Sequence, residues 1–153
     1  MLDELGVKKG VDGQRSNNKG EKISLHILTY AKIPRLIADS IKKEWEKLGI
    51  KVTVEIANND GFIKKVSERR YDALLIRQNL GYNRDVYPLF NSSQMGGTDA
   101  SAEGQNFAQW KSFRTDGITE AIRKEKDPKD KEKLLKELSK VIAEEVPAIF
   151  IST

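Results

Sequence analysis

The stretch ISLHILTYAKIPRLIADSIKKEWEKLGIKVTVEI, residues 23–56, decides the fold. Apolar and polar residues alternate in Ile23–Thr29 and again in Ile50–Ile56, as in strands with one buried face. Pro34 suits the start of a helix between these strands, and Gly49 suits its end. Apolar residues at helical spacing give this helix one stripe: Ile33, Leu36, Ile37, Ile41, Trp45 and Leu48. The strand–helix–strand order predicts two parallel strands joined by a right-handed crossover.

The same patterns predict the elements on either side of this unit. Residues 1–22 are expected to form a short helix and then a glycine-rich loop. After the second strand, Asp60 is positioned to cap a helix that ends at Arg69. Tyr71–Arg77 predicts a third strand, and the continuously apolar residues 73–76 at its centre are typical of a strand covered on both faces.

Two helices and a strand are predicted in the last third of the chain. Asp116–Glu125 forms the first helix, and Asp127 and Pro128 are well placed as the cap and first residue of the second. Pro147 ends that helix, and Ala148–Ile151 is expected to be a short strand. Strands that alternate with helices in this way predict an α/β fold.

The segment from Gln78 to Trp110 differs in composition from the rest of the chain. Charged residues make up 33% of the chain, yet this segment of 33 residues holds only four, and no lysine occurs from Val66 to Gln109. Its amide and hydroxyl side chains are interleaved with five of the eleven aromatic residues: Tyr82, Tyr87, Phe90, Phe107 and Trp110. Such interleaving is typical of small-molecule clefts, which in α/β sheets lie beyond the carboxyl ends of strands. Residues 78–112 are therefore predicted to form a ligand-facing loop segment, with an ordinary loop as the alternative.

Length and charge limit the classes of protein to consider. A chain of 153 residues predicts one domain, residues 1–153. The net charge of +4 permits a basic α/β module that binds nucleic acid or an acidic protein, and this function is kept as an alternative. Because lysines and glutamates are mixed along the predicted helices, solvated helix faces are the preferred interpretation, with no nucleic-acid partner. The sequence has no cysteine, no apolar run long enough to span a membrane and no secretory signal.

No group of residues in the sequence predicts catalysis, a metal or a cofactor. The single histidine, His26, lies within a predicted strand and has no acidic or nucleophilic partner at a telling spacing, so a packed or edge-strand histidine is expected. Asp12-Gly13 lacks the repeated carboxylates of a calcium loop. The glycine pairs match neither a phosphate loop nor a dinucleotide motif. A protein without enzymatic activity is therefore predicted.

A series of short motifs occurs in order along the whole chain. The residues that form them are Leu2–Gly6, Asp12–Arg15, Gly20–Ile23, Lys47–Val52, Tyr71–Ala73, Asp85, Tyr87-Pro88, Ser92–Gln94, Gly104–Phe107, Trp110, Asp116 and Glu144–Ile149. These motifs resemble those of one family, the peptide/nickel class (family 5) of solute-binding proteins, which serve ABC importers. The first ones resemble a family helix that leads into an Asp-Gly-x-Arg loop and a strand. The later ones resemble, in order, a family strand start, an Asp-Pro-x-Tyr-Pro loop, a Gly-x-Asn segment and a Glu-x-x-Pro-x-Ile end.

The resemblance implies one lobe of a periplasmic-binding-protein-like type II fold, with an open mixed sheet and helices on both faces. It implies an extracytoplasmic receptor whose two lobes close around a solute and present it to the permease of an ABC importer. Because full-length members are much longer, the chain is expected to be most of the C-terminal lobe, a fragment whose partners are a peptide-like solute, the missing N-terminal lobe and the permease. Membrane contact is expected only through the transporter or a lipid anchor outside this chain.

Six residues of the segment are predicted to bind the solute: Tyr82, Asn83, Asp85, Asn106, Phe107 and Trp110. The aromatic rings would stack or line pockets, the Asn106 amide would hydrogen-bond, and Asp85 would accept from a donor or brace its own loop. In peptide-binding members an acidic side chain holds the amino group of the peptide, but Tyr82 or Asn83 occupies that position here. Asp85 matches the family's Asp-Pro step, with Val86 in place of proline. Oligosaccharides and longer peptides therefore stay open as alternative solutes.

Overall fold

The computed structural model describes residues 2–30, 33, 35–78, 85–95 and 104–151. The chain divides into two compact units, Met1–Gln78 and Asn79–Thr153. The first unit contains the described sheets, and the second is helical in its described part. The α/β fold predicted from the sequence is confirmed, whereas the single domain expected over residues 1–153 stays a prediction.

The first unit is built on a three-stranded parallel sheet with a two-stranded antiparallel ribbon before it. The ribbon pairs β1 with β2, and the sheet has the order β4-β3-β5. Helix α1 connects β3 to β4, and helix α2 connects β4 to β5. The elements are β1 (Lys8–Lys9), β2 (Arg15–Ser16), β3 (Ser24–Tyr30), α1 (Arg35–Lys47), β4 (Lys51–Ala57), α2 (Asn59–Ser67) and β5 (Ala73–Leu74).

Strand β3 is the centre of this unit. Ile27 and Leu28 are almost fully buried, and Leu28 pairs with Glu55 on one side and with Leu74 on the other. Because β4 and β5 lie on opposite sides of β3, the two crossovers run in opposite directions, and right-handed crossovers then place α1 and α2 on opposite faces of the sheet. The parallel pairing predicted for residues 23–56 is therefore confirmed.

The predictions for the N-terminal loop and for the third strand need correction. Residues 8–16 form the ribbon rather than a loop, because the Arg15 guanidinium ties separate segments together by donating to the backbone carbonyls of Val7 at 2.6 Å and Leu48 at 2.8 Å. The third strand is paired only over Ala73–Leu74 rather than Tyr71–Arg77. Its apolar residues are half-buried instead of covered on both faces, since β5 has β3 as its neighbour on one side only in the described sheet.

The helix boundaries of this unit follow local capping. Helix α2 begins after Asn58, whose Oδ1 accepts the Gly61 N–H at 2.8 Å, so the predicted cap at Asp60 is wrong and Asp60 lies in the first turn. Gly49 follows α1 with a φ of 87°, a left-handed conformation that favours glycine, as predicted for the helix end. Pro34, the predicted helix start, lies outside the described residues.

The described part of the second unit is formed by helices packed around an apolar cluster. The elements are the short helix α3 (Tyr87–Phe90), a 3₁₀ turn (Ser92–Gln94), α4 (Phe113–Lys124) and α5 (Pro128–Glu145). Helix α3 and the 3₁₀ turn were not predicted, because the few apolar residues there do not make a helical stripe. The buried cluster consists of Val86, Phe90, Ile118, Ile122, Leu138, Val141 and Ile142.

Helix α5 confirms the sequence prediction, and the residues on either side of it correct two others. The Asp127 carboxylate accepts the N–H groups of Lys129 and Asp130, and Pro128 opens the helix. Helix α4 begins at Phe113 rather than Asp116, since Ser112 is its cap. Residues 148–151 form no strand in the described structure, because no neighbouring strand pairs with them, and the Ile149 side chain is 73% exposed.

Candidate functional site

The predicted ligand segment is described at residues 85–95 and 104–110, and its first part is a compact block. Pro88 lies in the first turn of α3, where its missing N–H costs nothing. Asn91 then adopts an extended conformation and caps the 3₁₀ turn, with its Oδ1 accepting the Ser93 N–H at 3.0 Å and the Ser93 hydroxyl at 2.6 Å. Val86 and Phe90 anchor the block in the apolar cluster.

Asp85 is held by an arginine of helix α4. The Arg123 Nη2 donates to Asp85 Oδ2 at 2.6 Å and its Nε donates to the same oxygen at 3.0 Å. The other oxygen, Oδ1, accepts the Tyr87 N–H at 3.1 Å. The hydrogen bond from Arg123 is the main reason why the pKa of Asp85 lies below its usual value. Of the two roles predicted for Asp85, bracing its own loop describes these contacts.

Arg123 also lies against the aromatic ring of Tyr87. Its guanidinium carbon is 3.9 Å from the ring centroid, a cation–π arrangement. The Tyr87 hydroxyl is 2.9 Å from the Ser93 hydroxyl, and the Gln94 amide donates to Ser93 at 3.3 Å. The surface of the block therefore presents neutral hydrogen-bonding groups next to a charge pair.

A buried polar layer connects the block to helix α4. The Ser92 N–H and hydroxyl donate to the two carboxylate oxygens of Asp116 at 2.7 and 2.5 Å. The Asn91 amide donates to the Thr119 hydroxyl at 3.1 Å, and Thr119 in turn donates to the Thr115 carbonyl. Asn91, Thr115 and Thr119 are buried, so these bonds fix the block firmly in place.

Asn106 is the buried centre of the second described part of the segment. Its side chain is 0% exposed. The amide nitrogen donates to the carbonyls of Asn91 at 3.1 Å and Trp110 at 2.8 Å, and the amide oxygen accepts the Trp110 N–H at 3.1 Å. In this arrangement the Asn106 side chain braces residues 106–110 against the 85–95 block, and its polar atoms face the protein.

Trp110 is half-buried, with one edge against the core. Its ring lies 6.0 Å from the Phe90 ring in an edge-to-face arrangement, and its indole N–H donates to the Glu145 carboxylate at 2.9 Å. The polar atom of the indole is therefore already bonded, and the exposed part of the ring offers an apolar surface. Phe107 is also half-buried and follows the Asn106 side chain that fixes this turn.

Two of the six predicted solute-binding residues, Tyr82 and Asn83, lie outside the described residues. Of the other four, the structure brings Asn106 and Trp110 into direct contact and places Asp85 in the same unit on Arg123. Solute contact by these residues stays a prediction. Arg123 was missed from the sequence, because an arginine in a mixed-charge helix has the same pattern whether it is solvated or paired.

The remaining chemistry of the described residues is that of ordinary ion pairs. His26 lies on the central strand β3, half-buried, with its Nε2 3.1 Å from a carboxylate oxygen of Glu55, whose other oxygen accepts from Lys65 at 2.5 Å. In the ranges that the structure describes, no group of three histidine or acidic residues is arranged to hold a metal ion. None of the helices in these ranges is long and apolar enough to cross a membrane.

Comparison with known proteins gives one sequence relative among the curated proteins. Di/tripeptide-binding protein 1 of Pseudomonas aeruginosa is 27% identical over 113 residues, which cover 74% of this chain and 20% of the relative. The chain therefore spans about a fifth of the length of this relative. No protein-family model matches the chain.

Solved structures share the fold over nearly the whole chain. The oligopeptide-binding protein AppA of Bacillus subtilis, in complex with a nonapeptide, has a TM-score of 0.81 at 24% identity and is matched over 95% of this chain and 29% of its own. NikZ of Campylobacter jejuni, in complex with Ni(L-His), has a TM-score of 0.77 at 22% identity with the same coverage. A periplasmic oligopeptide-binding protein of Thermotoga maritima, bound to mannohexaose, has a TM-score of 0.73 at 19% identity and is matched over 95% and 28%.

The neighbours are binding proteins of ABC transporters rather than enzymes, and they include peptide-binding and nickel-binding members. They match the family whose motifs were identified in the sequence. The chain therefore shares the fold of solute-binding proteins of the peptide/nickel class, family 5, of ABC transporters, and its sequence is similar to that of a di/tripeptide-binding protein over 74% of its length.

Proposed function

We propose that this chain is the C-terminal, solute-binding lobe of an ABC-importer receptor for peptides or oligopeptide-like solutes. The observation that carries the proposal is the fold shared with an oligopeptide-binding protein solved with a nonapeptide, at a TM-score of 0.81 over 95% of this chain. The sequence relative, a di/tripeptide-binding protein, supports the same solute class. The lobe would bind its solute without catalysing a reaction.

The proposed binding residues are the six named from the sequence, divided here by role. Phe107 and Trp110 are half-buried aromatic residues whose rings would pack against apolar parts of the solute. Asn106 and Asp85 would act indirectly, since their polar atoms already hold the loops together. Tyr82 and Asn83 would supply direct hydrogen bonds.

Binding would be completed by a second lobe that closes over the solute. One lobe covers only one side of a ligand, so the affinity of this chain alone is expected to be weak. The closed complex would be presented to a permease outside the cytoplasm. Membrane attachment, where it occurs, would come from the transporter or from a lipid anchor beyond these residues.

The two tryptophans allow a direct test with the 153-residue chain. In a Trp45→Phe variant, Trp110 is the only tryptophan, and we expect a nonapeptide of alternating alanine and serine to change its fluorescence emission in a saturable way. In a Trp110→Phe variant, Trp45 reports from helix α1, and no change is expected. The proposal fails if calorimetry and nuclear magnetic resonance detect no binding of this peptide at millimolar concentration.

A second solute class is favoured by one observation, the mannohexaose bound to the Thermotoga maritima neighbour. Sugar rings stack on exposed aromatic faces, which Trp110 would supply. The same fluorescence titration, carried out with mannohexaose, distinguishes the peptide-binding function from the oligosaccharide-binding function. A response to mannohexaose and none to the peptide would replace the peptide proposal with an oligosaccharide-binding function.

A further inference from the structure

We propose that Arg123 determines the charge specificity of the solute site: it occupies the Asp85 carboxylate, so that the lobe takes neutral hydrogen-bonding solutes rather than solutes held by an ammonium group. This inference rests on the proposed function. It concerns the part of the site that residues 85–95 form with helix α4, and all of its residues lie in the described structure.

The first argument is the geometry of the pair. Three hydrogen bonds run from Arg123 to Asp85, at 2.6 and 3.0 Å to Oδ2 and at 3.4 Å to Oδ1. The Tyr87 N–H takes the remaining position on Oδ1 at 3.1 Å. Both carboxylate oxygens are thus engaged, although the Asp85 side chain is 36% exposed. An ammonium group that approached Asp85 would have to displace a planar guanidinium that binds through two nitrogens.

The second argument is that Arg123 is itself held in place. The guanidinium lies on the Tyr87 ring at 3.9 Å, and the ring is fixed through its hydroxyl by Ser93 at 2.9 Å. An exposed ion pair between two mobile side chains is weak. Here the arginine is held by a ring and a carboxylate of the same block, so less conformational freedom remains to be lost when the pair forms.

The third argument is the chemistry left at the surface of the block. The carboxylate of Asp116, the other acid bonded to the block, accepts from the Ser92 N–H and hydroxyl. Among the described residues of the block, Tyr87 and Ser93 carry hydroxyls and Gln94 carries an amide, neutral groups that are hydrogen-bonded to each other. Peptide amides and sugar hydroxyls share the hydrogen-bonding chemistry that matches such groups.

The test uses the 153-residue chain and two probes that differ in one charge. Tetra-alanine amide carries an N-terminal ammonium, and its N-acetylated form does not. We expect the wild-type chain to bind the two within a factor of about two of each other. In Arg123→Gln the Asp85 carboxylate is left without its partner, and the ammonium form should bind about two- to fivefold more tightly than the acetylated form.

Two variants control for indirect effects. Arg114→Gln removes another arginine of α4, one that pairs with Glu144 at 3.4 Å and makes no bond to the 85–95 block, and it should leave the preference unchanged. The double variant Asp85→Asn/Arg123→Gln removes the freed carboxylate and should abolish the gained preference. The inference is overturned if Arg123→Gln gains no preference for the ammonium form, or if the wild-type chain already prefers it fivefold or more.

A second readout separates this inference from the proposed function. Ethylammonium is titrated into chain labelled at its aspartate carboxyl carbons, and the Asp85 resonance is followed by nuclear magnetic resonance. It should move in Arg123→Gln and stay fixed in the wild type, whether or not either peptide binds. Loss of all peptide binding with this response intact rejects the peptide function alone. An unchanged Asp85 resonance in Arg123→Gln rejects the inference.

Discussion

At Asn106 a single buried amide holds two loops together. Its three hydrogen bonds reach the Asn91 carbonyl and both backbone polar groups of Trp110. The backbone N–H of Asn106 also donates to the Gln94 carbonyl at 3.0 Å. Because the residue is fully buried, loss of the side chain would remove these bonds from the N–H and carbonyl of Trp110 and leave the Asn91 carbonyl with the Gln94 N–H as its donor.

The Asn106→Ala variant should therefore be strongly destabilised. We expect the free energy of unfolding to fall by about 1–3 kcal/mol, the cost of buried polar groups left without hydrogen bonds. Urea unfolding followed by circular dichroism measures this loss. Gln105→Ala, at the exposed neighbouring position, should change it by less than about 0.5 kcal/mol. Equal effects at the two positions would contradict the bracing role of Asn106.

Two glycines of the second unit differ in how closely other atoms approach them. Gly104 passes so close to the 3₁₀ turn that an added Cβ would overlap the Gln94 carbonyl group. Gly117, on the exposed side of helix α4, would meet no atom within 4 Å. The first glycine allows two backbone segments to approach each other, and the second only weakens a helix.

Alanine substitution at these two glycines should have opposite effects. Gly104→Ala should destabilise the chain by about 1–3 kcal/mol, because backbone atoms must shift to make room. Gly117→Ala should stabilise it by about 0.5–1 kcal/mol, the difference in helix propensity. Thermal unfolding of the two variants and of the wild type measures whether the first is less stable and the second more stable than the wild type. A neutral Gly104→Ala would mean that the loop carrying Asn106 is free to move away from the turn.

Both units contain carboxyl groups that pair with basic side chains and should make the stability of the fold sensitive to acid. The pKa values of Asp3, Asp12, Glu55 and Asp85 are all lowered, in each case mainly by a hydrogen bond from a basic side chain. A carboxyl whose pKa is lowered on folding stabilises the fold above its unfolded pKa. That contribution is lost as the pH falls through the lower, folded value. The chain should therefore lose stability in acid, below the ordinary range of carboxyl pKa values.

Asp85→Asn isolates one of these contributions. Asparagine can still accept the Tyr87 N–H but cannot form an ion pair with Arg123. At about pH 7 the wild type should be more stable than the variant by about 0.5 kcal/mol, a small value because both side chains are partly exposed. As the pH falls below the ordinary aspartate value of 3.8, the difference should shrink toward zero. Urea midpoints measured across this range provide the check, and a constant difference would refute the assignment to ionisation.

Sequence patterns predicted the helices and strands that are determined by residues close together in the chain. Alternation in residues 23–29 and 50–56 located β3 and β4 within one residue, and Asp127-Pro128 gave the start of α5. The patterns failed where distant partners decide the structure. Arg15 organises the terminal ribbon through the Leu48 carbonyl, and Asn106 turns inward because Asn91 lies beside it. Composition singled out the segment that contains Asp85 and Trp110, but only their contacts reveal which polar atoms are already bonded.

The central position of β3 has a consequence for the order in which the first unit can form. Among the three strands of its sheet, β3 is synthesised first. Its two neighbours follow later in the chain, at Lys51–Ala57 and Ala73–Leu74. During synthesis β3 therefore leaves the ribosome with both edges unpaired, and its second edge closes only after residue 74 emerges. Parallel pairings at such sequence separation form slowly, and open strand edges attract other chains. The apolar strand that stabilises the finished sheet is thus also the segment most exposed to aggregation while the chain is incomplete.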